Sequence, residues 1–331
     1  MKKKKAKLIS QVAHDRLELG KNIPFSTPLV IYVEPSGFCN LRCMFCVQKT
    51  DGKKLKKSIM SRKLFFKMIV DTAEFKEKAK LLRICGNGEP LMNKDIIEMI
   101  KYAKEKNAAE KIEIITNGIL LNDILIKNLP AFLDRIIISI EGLSPEDYQK
   151  TSMVKINFQK LLENINNLYQ NRGKCKIHIK IHNKAVSSEK RKNKFFLLFK
   201  DLCNEIYIEN LVPMWPELDM DYFVDEFRWG GGKITKRQVC AQIFKGIQVQ
   251  ADGEVVPCCV DWKRSNILGN INKDSLFQIW NGKKLKELQI KHLMGDKGKI
   301  EPCKNCTMND YCDLDNIDQY AEECIKRLNR Y

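Results

Sequence analysis

The sequence lacks any run of about 18 consecutive apolar residues, the length that a helix needs to cross a bilayer. We therefore expect no membrane span. Segment 1–7 is rich in lysine, but no apolar core of a signal peptide follows it. These two absences favour a cytoplasmic protein, in which thiols stay reduced. The thirteen cysteines are therefore expected to bind metal rather than to form disulfides.

The sequence also has fewer acidic residues than basic residues. The chain has 58 Lys and Arg against 41 Asp and Glu, a formal net charge of +17. A basic surface favours anionic partners such as phosphorylated substrates or acidic redox proteins. The lysines are spread along the whole chain and no nucleic-acid-binding motif accompanies them, so we expect no nucleic-acid partner.

Cys39, Cys43 and Cys46 are the most informative residues. Three thiolates this close together can wrap one face of a cubane iron–sulfur cluster, which normally takes four cysteines. No His or Asp beside them completes the set, so one iron would stay open to a small molecule. A zinc site usually has paired C-x-x-C ligands, so the spacing favours an iron–sulfur cluster with a reactive open position.

The region 28–212 alternates strand-like and helix-like segments. Six apolar segments predicted as strands lie at 28–34, 80–85, 111–115, 135–140, 175–182 and 205–211. Helical periodicity follows the strands, which argues for an α/β fold with a parallel sheet and right-handed crossovers. If such a sheet closes or partly closes into a barrel, chemistry sits at the carboxyl ends of its strands.

The spacing C-x-x-x-C-x-x-C, with Phe45 before the last cysteine, resembles the radical S-adenosylmethionine (SAM) enzymes. In that family SAM chelates the open iron, and one electron from the cluster cleaves it to a 5′-deoxyadenosyl radical that abstracts hydrogen from the substrate. The resemblance implies a [4Fe–4S] cluster and SAM as cofactors. It also implies that 28–212 form a partial (β/α)6 barrel.

Several strand ends match further motifs of that family. Asn87, Gly88 and Glu89 resemble its second motif, usually Gly-Gly-Glu-Pro, whose backbone and glutamate hold the SAM amino group. Asn87 departs from the usual glycine. Asn117 resembles a position near the methionine moiety. The resemblance implies that these residues bind SAM.

Three more matches concern the adenosine and carboxylate ends of SAM. Phe45 matches the aromatic residue whose loop lies along the adenine. Ser139 and Glu141 resemble a Ser-x-Asp-Gly pattern near the ribose, with Glu141 in place of Asp. Lys180 and His182 lie on one face of the fifth strand, from which they can reach the SAM carboxylate, or they form a solvated strand end.

A second cysteine-rich module is predicted at 240–331, after a bridge at 213–239. Two alternating segments around Asp252 and Gly253 indicate a hairpin, which carries Cys258. A helix is predicted from Ser275, followed by a C-x-x-C. The pattern resembles the SPASM and twitch extensions of the same family, and therefore implies an auxiliary iron–sulfur domain.

The auxiliary ligands leave two arrangements open. The simpler one is a single [4Fe–4S] cluster on four cysteines, Cys240, Cys258, Cys303 and Cys306. The second uses Cys303, Cys306, Cys312 and Cys324, and leaves Cys240 and Cys258 in a partial second site. Asn316 stands where the two-cluster form has another cysteine, which argues against two fully cysteine-ligated clusters. Spacing alone also permits a structural zinc ion.

Cys259 follows a ligand directly, on a hairpin expected to close the barrel mouth. A thiol there could donate a hydrogen atom to a substrate radical. It could equally be an alternate ligand or a buried structural thiol.

The resemblance implies a radical SAM enzyme of oxidoreductase or epimerase type. We favour epimerisation or oxidation of a carbinol C–H in a saccharide or nucleotide-sugar-type substrate, since compact members with the 252–259 pattern look like such enzymes. One alternative is a maturase of a ribosomally made peptide. Such maturases often carry an extra recognition domain, and the basic extension 1–27 is too short for one.

A second alternative is a non-catalytic iron–sulfur electron-transfer protein, against which the open cluster position and the motif at Gly88 and Glu89 argue. Any radical SAM enzyme needs a reductant. We expect a flavodoxin or a ferredoxin, whose acidic surface would meet a basic face of this chain.

Overall fold

A computed structural model of the chain describes residues 6–8, 17–49, 55–215, 227–312 and 315–330. Ten strands lie within these residues: β1 (Lys7–Leu8), β2 (Val30–Val33), β3 (Ala79–Ile84), β4 (Ala109–Thr116), β5 (Arg135–Ile140), β6 (Lys176–His182), β7 (Glu205–Glu209), β8 (Gly246–Val249), β9 (Glu254–Val256) and β10 (Gly269–Asn270). They form one sheet in the order β1-β7-β6-β5-β4-β3-β2-β8-β9-β10.

Twelve α-helices accompany the sheet in the same part of the chain: α1 (Leu19–Asn22), α2 (Arg62–Asp71), α3 (Ile96–Glu105), α4 (Asp123–Phe132), α5 (Pro145–Ser152), α6 (Phe158–Gln170), α7 (Glu189–Phe199), α8 (Gln242–Lys245), α9 (Leu276–Trp280), α10 (Lys283–Leu293), α11 (Met308–Tyr311) and α12 (Ala321–Arg330). Polar caps begin several of them. Ser61, Asn157 and Ser188 each accept a hydrogen bond from the backbone three residues later. Among the residues described, none of these helices is long and apolar enough to traverse a bilayer.

The six strands β2 to β7 are parallel and adjacent in chain order. This is the six-unit alternation that the sequence predicts, and the α/β fold with a parallel sheet is confirmed. Connections through helices allow parallel neighbours, because a crossover must return the chain to the same end of the sheet. The carboxyl ends of all six strands therefore meet along one edge.

The two faces of the sheet differ in chemistry. One face packs against the helices through alternate apolar side chains, including Ile31, Leu82, Ile114, Ile138 and Ile179, all fully buried. The other, which we call the polar face, carries the intervening residues Tyr32, Arg83, Glu113, Ser139 and Lys180. Period-two alternation produces this division. The hydrogen-bonding side chains of these strands therefore lie mainly on the polar face.

The cysteine-rich module is continuous with the barrel sheet, which the sequence does not reveal. Strand β8 pairs in parallel with β2, and β9 then returns antiparallel beside β8. Gly246 permits the pairing, because a Cβ there would overlap the carbonyl oxygen of Val30. The predicted hairpin at 246–256 therefore extends the barrel, and its loop projects at the strand ends.

The N-terminal residues also differ from the separate extension expected at 1–27. Strand β1 pairs in parallel with β7 at the far edge of the sheet. Leu19 and Ile23, at α1, are buried in a cluster with Leu328 of α12. The described parts of this segment are therefore integral to the fold. Of the predicted bridge at 213–239, residues 216–226 lie outside the described chain.

Candidate functional site

The three cysteines lie on the loop that follows the carboxyl end of β2. The Cys46 backbone N–H donates to the Cys43 carbonyl at 2.9 Å, and the Leu41 N–H donates to the Cys39 thiol at 3.4 Å. The loop is fixed to α5 by the backbone N–H groups of Arg42 and Met44. This loop therefore gathers the three thiols at the end of the strand.

Burial raises the pKa of all three thiols, to about 12 for Cys39 and about 11 for Cys46. The charge of Glu141 also raises all three pKa values, and the charge of Cys46 raises those of Cys39 and Cys43. Thiolate ligands must lose these protons when metal binds. A set of three close thiols at a strand end fits a [4Fe–4S] cluster with one open iron.

Single-ion binding requires ligands that converge on one point. In the described ranges, no group of three or more His, Cys, Asp or Glu side chains converges closely enough to hold one metal ion. In a cubane cluster each cysteine binds a different iron, so its ligands need not converge in this way.

Glu89 fixes the loop after β3 to the end of β4. Its carboxylate is buried and accepts hydrogen bonds from Thr116 Oγ1 at 2.6 Å, the Asn117 N–H at 2.8 Å and the Leu91 N–H at 3.1 Å. Burial raises the pKa of Glu89. The motif glutamate therefore holds two strand ends in place.

Asn87 and Asn117 both approach the cysteine loop. Asn117 Nδ2 donates to Asn40 Oδ1 at 2.8 Å, and its contact with Cys39 Sγ is 4.0 Å. Gln48 Nε2 donates to the carbonyls of Gly37 at 2.9 Å and Asn87 at 2.7 Å. Sequence reasoning missed Gln48 and Asn40, because only tertiary contacts show their role.

Gly88 lies against the backbone of the cysteine loop. A Cβ at this position would overlap the carbonyl oxygens of Ser36 and Phe38. The backbones can approach this closely only because residue 88 has no side chain.

We expect Gly88→Ala to displace the loop after β3, at a cost of about 1–3 kcal/mol in folding stability, and to raise the Kd for SAM because the loop moves. The measurement is the Kd for SAM of the reconstituted protein by equilibrium dialysis. Gly298→Ala is the matched control, because its Cβ would have no atom within 4 Å. Unchanged SAM affinity in Gly88→Ala would contradict the close packing.

A second group of predicted residues meets at the ends of β5 and β6. The Phe45 ring packs edge-on against His182, with the centroids 4.9 Å apart. His182 Nε2 lies 3.8 Å from Glu141 Oε2, and its Nδ1 accepts from the Ala185 N–H. Burial raises the pKa of Glu141 to about 7, partly offset by Lys180. The structure therefore brings Phe45, Glu141 and His182 together.

Lys180 is engaged in a contact that the sequence did not predict. Its Nζ pairs with the Glu209 carboxylate at 2.8 and 3.0 Å, and Trp229 Nε1 donates to the same carboxylate. Ser139 is the register neighbour of Lys180 on the polar face. The ammonium charge is thus already matched before any SAM carboxylate approaches.

The second cysteine group surrounds one small cavity. Cys240, Cys258, Cys303 and Cys306 all line it, together with His292. Burial raises the pKa of Cys258, and the charges of the other three cysteines and of Cys259 raise it further. The four thiols of the simpler arrangement are therefore brought together.

Cys324 lies in different surroundings, which corrects the second arrangement. Its thiol donates to the Gly20 carbonyl at 3.5 Å and accepts from Arg327, in the apolar cluster between α1 and α12. Cys312 follows α11, next to residues 313–314, which are outside the described chain. Packing against α1 accounts for Cys324 without a metal.

Cys259 is half-buried and directly follows Cys258, which lines the auxiliary cavity. Burial and the charge of Cys306 together raise its pKa to about 11, and the charge of Arg83 opposes this rise. The pKa of Cys85, which is raised by burial, also responds to Cys259. Cys85 follows the end of β3, and Cys259 lies beyond β9 on the hairpin that extends the same sheet.

Glu34, at the end of β2, is a buried carboxylate that the sequence did not mark. Its Oε2 accepts from the Asn87 N–H at 2.6 Å, and Ala251 provides a second backbone hydrogen bond. It therefore joins the loop after β3 to the hairpin of the cysteine-rich module. Burial raises its pKa to about 7.

The raised pKa of Glu34 predicts a pH dependence of stability. The folded state favours the protonated acid, so this contribution is complete below the unfolded pKa near 4.5 and is lost as pH rises through about 7. The change is about 3 kcal/mol. We expect Glu34→Gln to flatten the decline in urea unfolding free energy between pH 5 and pH 8. Equal declines in both proteins would contradict this prediction.

The sheet carries three thiols on a loop at its carboxyl edge, and four more line a second cavity, an arrangement that suits iron–sulfur clusters. The chain matches the radical SAM superfamily over residues 33–184 and the iron–sulfur cluster-binding SPASM domain over residues 240–307. It belongs to the radical SAM superfamily and carries a C-terminal SPASM domain. These domains imply a [4Fe–4S] cluster and SAM, with auxiliary iron–sulfur binding.

Among curated relatives, the chain is 33% identical over 131 residues to a probable GTP 3′,8-cyclase of Methanococcus maripaludis. That match covers 38% of this chain and 42% of the relative, so it spans less than half of either protein. The chain is 24% identical to the tungsten-containing aldehyde ferredoxin oxidoreductase cofactor-modifying protein of Pyrococcus furiosus, over 86% of this chain and 88% of that protein.

Two solved structures share the fold at low identity. BtrN in complex with AdoMet and 2-DOIA has a TM-score of 0.59 and 18% identity, over 88% of this chain and 95% of BtrN. The enzyme anSMEcpe with bound AdoMet and Cp18Cys peptide has a TM-score of 0.61 and 16% identity, over 92% and 97%. Both likenesses concern the fold.

Proposed function

We propose that the chain is a radical SAM enzyme that reductively cleaves SAM and abstracts a hydrogen atom from its substrate. The observation that carries this proposal is the placement of three neighbouring thiols beside the loop of Gly88 and Glu89, at the carboxyl edge of the sheet. When bound, the [4Fe–4S] cluster and SAM supply the electron and the 5′-deoxyadenosyl radical.

In this proposal Cys39, Cys43 and Cys46 hold the cluster. Asn87, Gly88, Glu89 and Asn117 form the side of the site that receives the SAM amino and methionine groups. Phe45, Ser139 and Glu141 form the side that receives adenosine. Glu89 contributes by fixing Asn117, since its carboxylate accepts the N–H of that residue. Lys180 contributes through its ion pair with Glu209, which fixes the end of β6 against β7.

We assign one auxiliary [4Fe–4S] cluster to Cys240, Cys258, Cys303 and Cys306. The support is that all four line one cavity and that three of them raise the pKa of the fourth. In the loaded protein this cluster would lie beside Cys259, and therefore near the polar face where a substrate would bind.

We propose a carbinol C–H of a saccharide or nucleotide-sugar-type substrate as the position attacked, with epimerisation or oxidation as the outcome. The net charge of +17 favours a phosphorylated substrate. Cys259 would be the hydrogen-atom donor if the reaction is an epimerisation. Its place directly after Cys258, on the hairpin that extends the barrel sheet, supports this role.

A peptide substrate is the second candidate. A structure of this fold with AdoMet and a Cp18Cys peptide bound covers nearly all of the described chain. The fold is thus compatible with maturation of a ribosomally made peptide. A flavodoxin or ferredoxin is the proposed reductant in either case.

The test is anaerobic reconstitution with iron and sulfide, followed by SAM and a strong reductant, with 5′-deoxyadenosine quantified. Formation of 5′-deoxyadenosine supports the radical mechanism. Absence of both SAM binding and cleavage in fully loaded protein would overturn it and favour an electron-transfer protein. In deuterated solvent, deuterium in the recovered product indicates epimerisation, and a two-electron-oxidised product indicates oxidation.

A further inference from the structure

Two buried glutamines, Gln248 on β8 and Gln250 just beyond it, have side-chain amide atoms without hydrogen-bond partners. Gln248 is fully buried, and neither its amide nitrogen nor its amide oxygen has a hydrogen-bond partner. Gln250 is 1% exposed, and its amide nitrogen is also unpartnered. A buried polar group without a hydrogen-bond partner destabilises the folded protein. Side chains that carry this cost are candidates for contact with a ligand.

The register of the sheet shows where these amides lie. Gln248 is the neighbour of Tyr32, and Tyr32 is the neighbour of Arg83. Ile247 and Val249 are in the apolar core against the helices. Residues i and i+2 of a strand share a face, so Gln248 and Gln250 extend from the polar face.

Charged groups continue the same row of the polar face. Arg83 and Arg135 both pair with the buried Glu113 carboxylate. Two guanidinium groups thus share one carboxylate, which leaves one positive charge unmatched within this triad. Arg83 also lies over the Tyr32 ring, 5.6 Å from its centroid. Along this row, the polar face therefore changes from the neutral amide of Gln248 to the net positive charge of Arg83 and Arg135 with Glu113.

We propose that Gln248, Gln250 and Arg83 form the substrate-recognition subsite, for a polyhydroxylated substrate that carries an anionic group. This inference rests on the proposed function and narrows its substrate class. An amide offers a donor and an acceptor side by side, which matches a hydroxyl group that both accepts and donates. The anionic group is matched by the Arg83 end, where guanidinium geometry suits phosphate or carboxylate.

The arrangement also explains why the cysteine-rich module pairs with the barrel. Strand β8 belongs to the SPASM domain, yet its glutamines lie beside Tyr32 of the barrel. Gln248 is also the register neighbour of Val256 on β9, three residues before Cys259, so the hairpin that carries this thiol lies beside the amide. Substrate recognition would thus be shared between the two domains.

The test uses reconstituted, SAM-loaded protein and a fixed panel: UDP-glucose, UDP-N-acetylglucosamine, glucose 6-phosphate, free glucose and an unmodified peptide mixture. Binding is measured by isothermal titration calorimetry. We expect at least one phosphorylated sugar to bind, and Gln248→Leu to weaken that binding by about tenfold or more, because a polar group of the substrate loses its partners. Arg83→Lys should weaken the phosphorylated sugars selectively.

Thermal unfolding distinguishes a loss of substrate binding from a loss of protein stability. Gln248→Leu replaces an unpartnered amide by an apolar group of similar size, so we expect an equal or higher Tm together with weaker sugar binding. Gln289→Leu is the matched control, because this buried amide donates to the Ile243 carbonyl at 3.0 Å. Its loss should lower the Tm and leave sugar affinity unchanged.

Each outcome bears on one proposal. SAM cleavage without binding of any phosphorylated sugar, or with binding that Gln248→Leu leaves intact, overturns the subsite. Binding of the peptide mixture that depends on Gln248 overturns the substrate class. Absence of SAM binding and cleavage in the loaded wild-type protein overturns the proposed function instead, so the two failures are distinguishable.

Discussion

Cys43→Ala is expected to reduce 5′-deoxyadenosine formation to background. Cys43 is 8% exposed and lies between two other thiols in a loop held by backbone hydrogen bonds to α5. No neighbouring Cys or His replaces it in the local sequence. With two ligands left, the cluster would be lost, and iron should fall by about four atoms per chain.

The measurements are iron content and 5′-deoxyadenosine after anaerobic reconstitution. Cys175→Ala is the control, since its thiol is also buried but contacts the Lys176 carbonyl. We expect that variant to retain both iron and activity. Full iron content together with normal cleavage in Cys43→Ala would contradict the assignment of the three cysteines.

Cys258→Ala should lose the auxiliary cluster and retain the cluster at the barrel mouth. Cys258 lines one cavity together with three other cysteines. Its burial disfavours a free thiolate, and a bound metal would offset this cost because it binds the thiolate form. Iron should fall by about four atoms per chain. We also expect a lower Tm in the loaded variant, because the metal links the hairpin to the C-x-x-C segment.

The variant Cys324→Ala discriminates between the two possible sets of auxiliary cluster ligands. In the arrangement supported by the cavity, this variant keeps its iron, because Cys324 contacts Gly20 and Arg327. If Cys324→Ala lost about four irons and Cys258→Ala did not, the second arrangement would replace the first. Electron paramagnetic resonance of the reduced proteins would show which cluster remains.

The candidate site was partly predictable because its motifs are local. Cys39, Cys43 and Cys46 are close in sequence, and their spacing alone favours a cubane cluster with an open position. Glu89 and Asn117 follow predicted strands, whose parallel arrangement brings their ends to one edge. The sequence therefore indicated, without any coordinates, which of these residues the fold brings to one edge of the sheet.

Other parts were not predictable because they depend on contacts between distant residues. Glu34 receives its hydrogen bond from Asn87, and Lys180 pairs with Glu209. No spacing rule connects these positions. The same reason explains Cys324: its C-terminal position suggested a ligand, but packing against α1 determines its environment.

The sequence by itself determined the strand–helix alternation, the cysteine triplet and the presence of a second cysteine module. These features depend on periodicity and on neighbours within a few residues, which are fixed by covalent connection. The tertiary structure decided that β8 joins the barrel sheet beside β2, which four cysteines share a cavity, and that Gln248 lies on the polar face. Each of these depends on strand pairing or packing across many residues, where the free energy of the whole fold selects the partner.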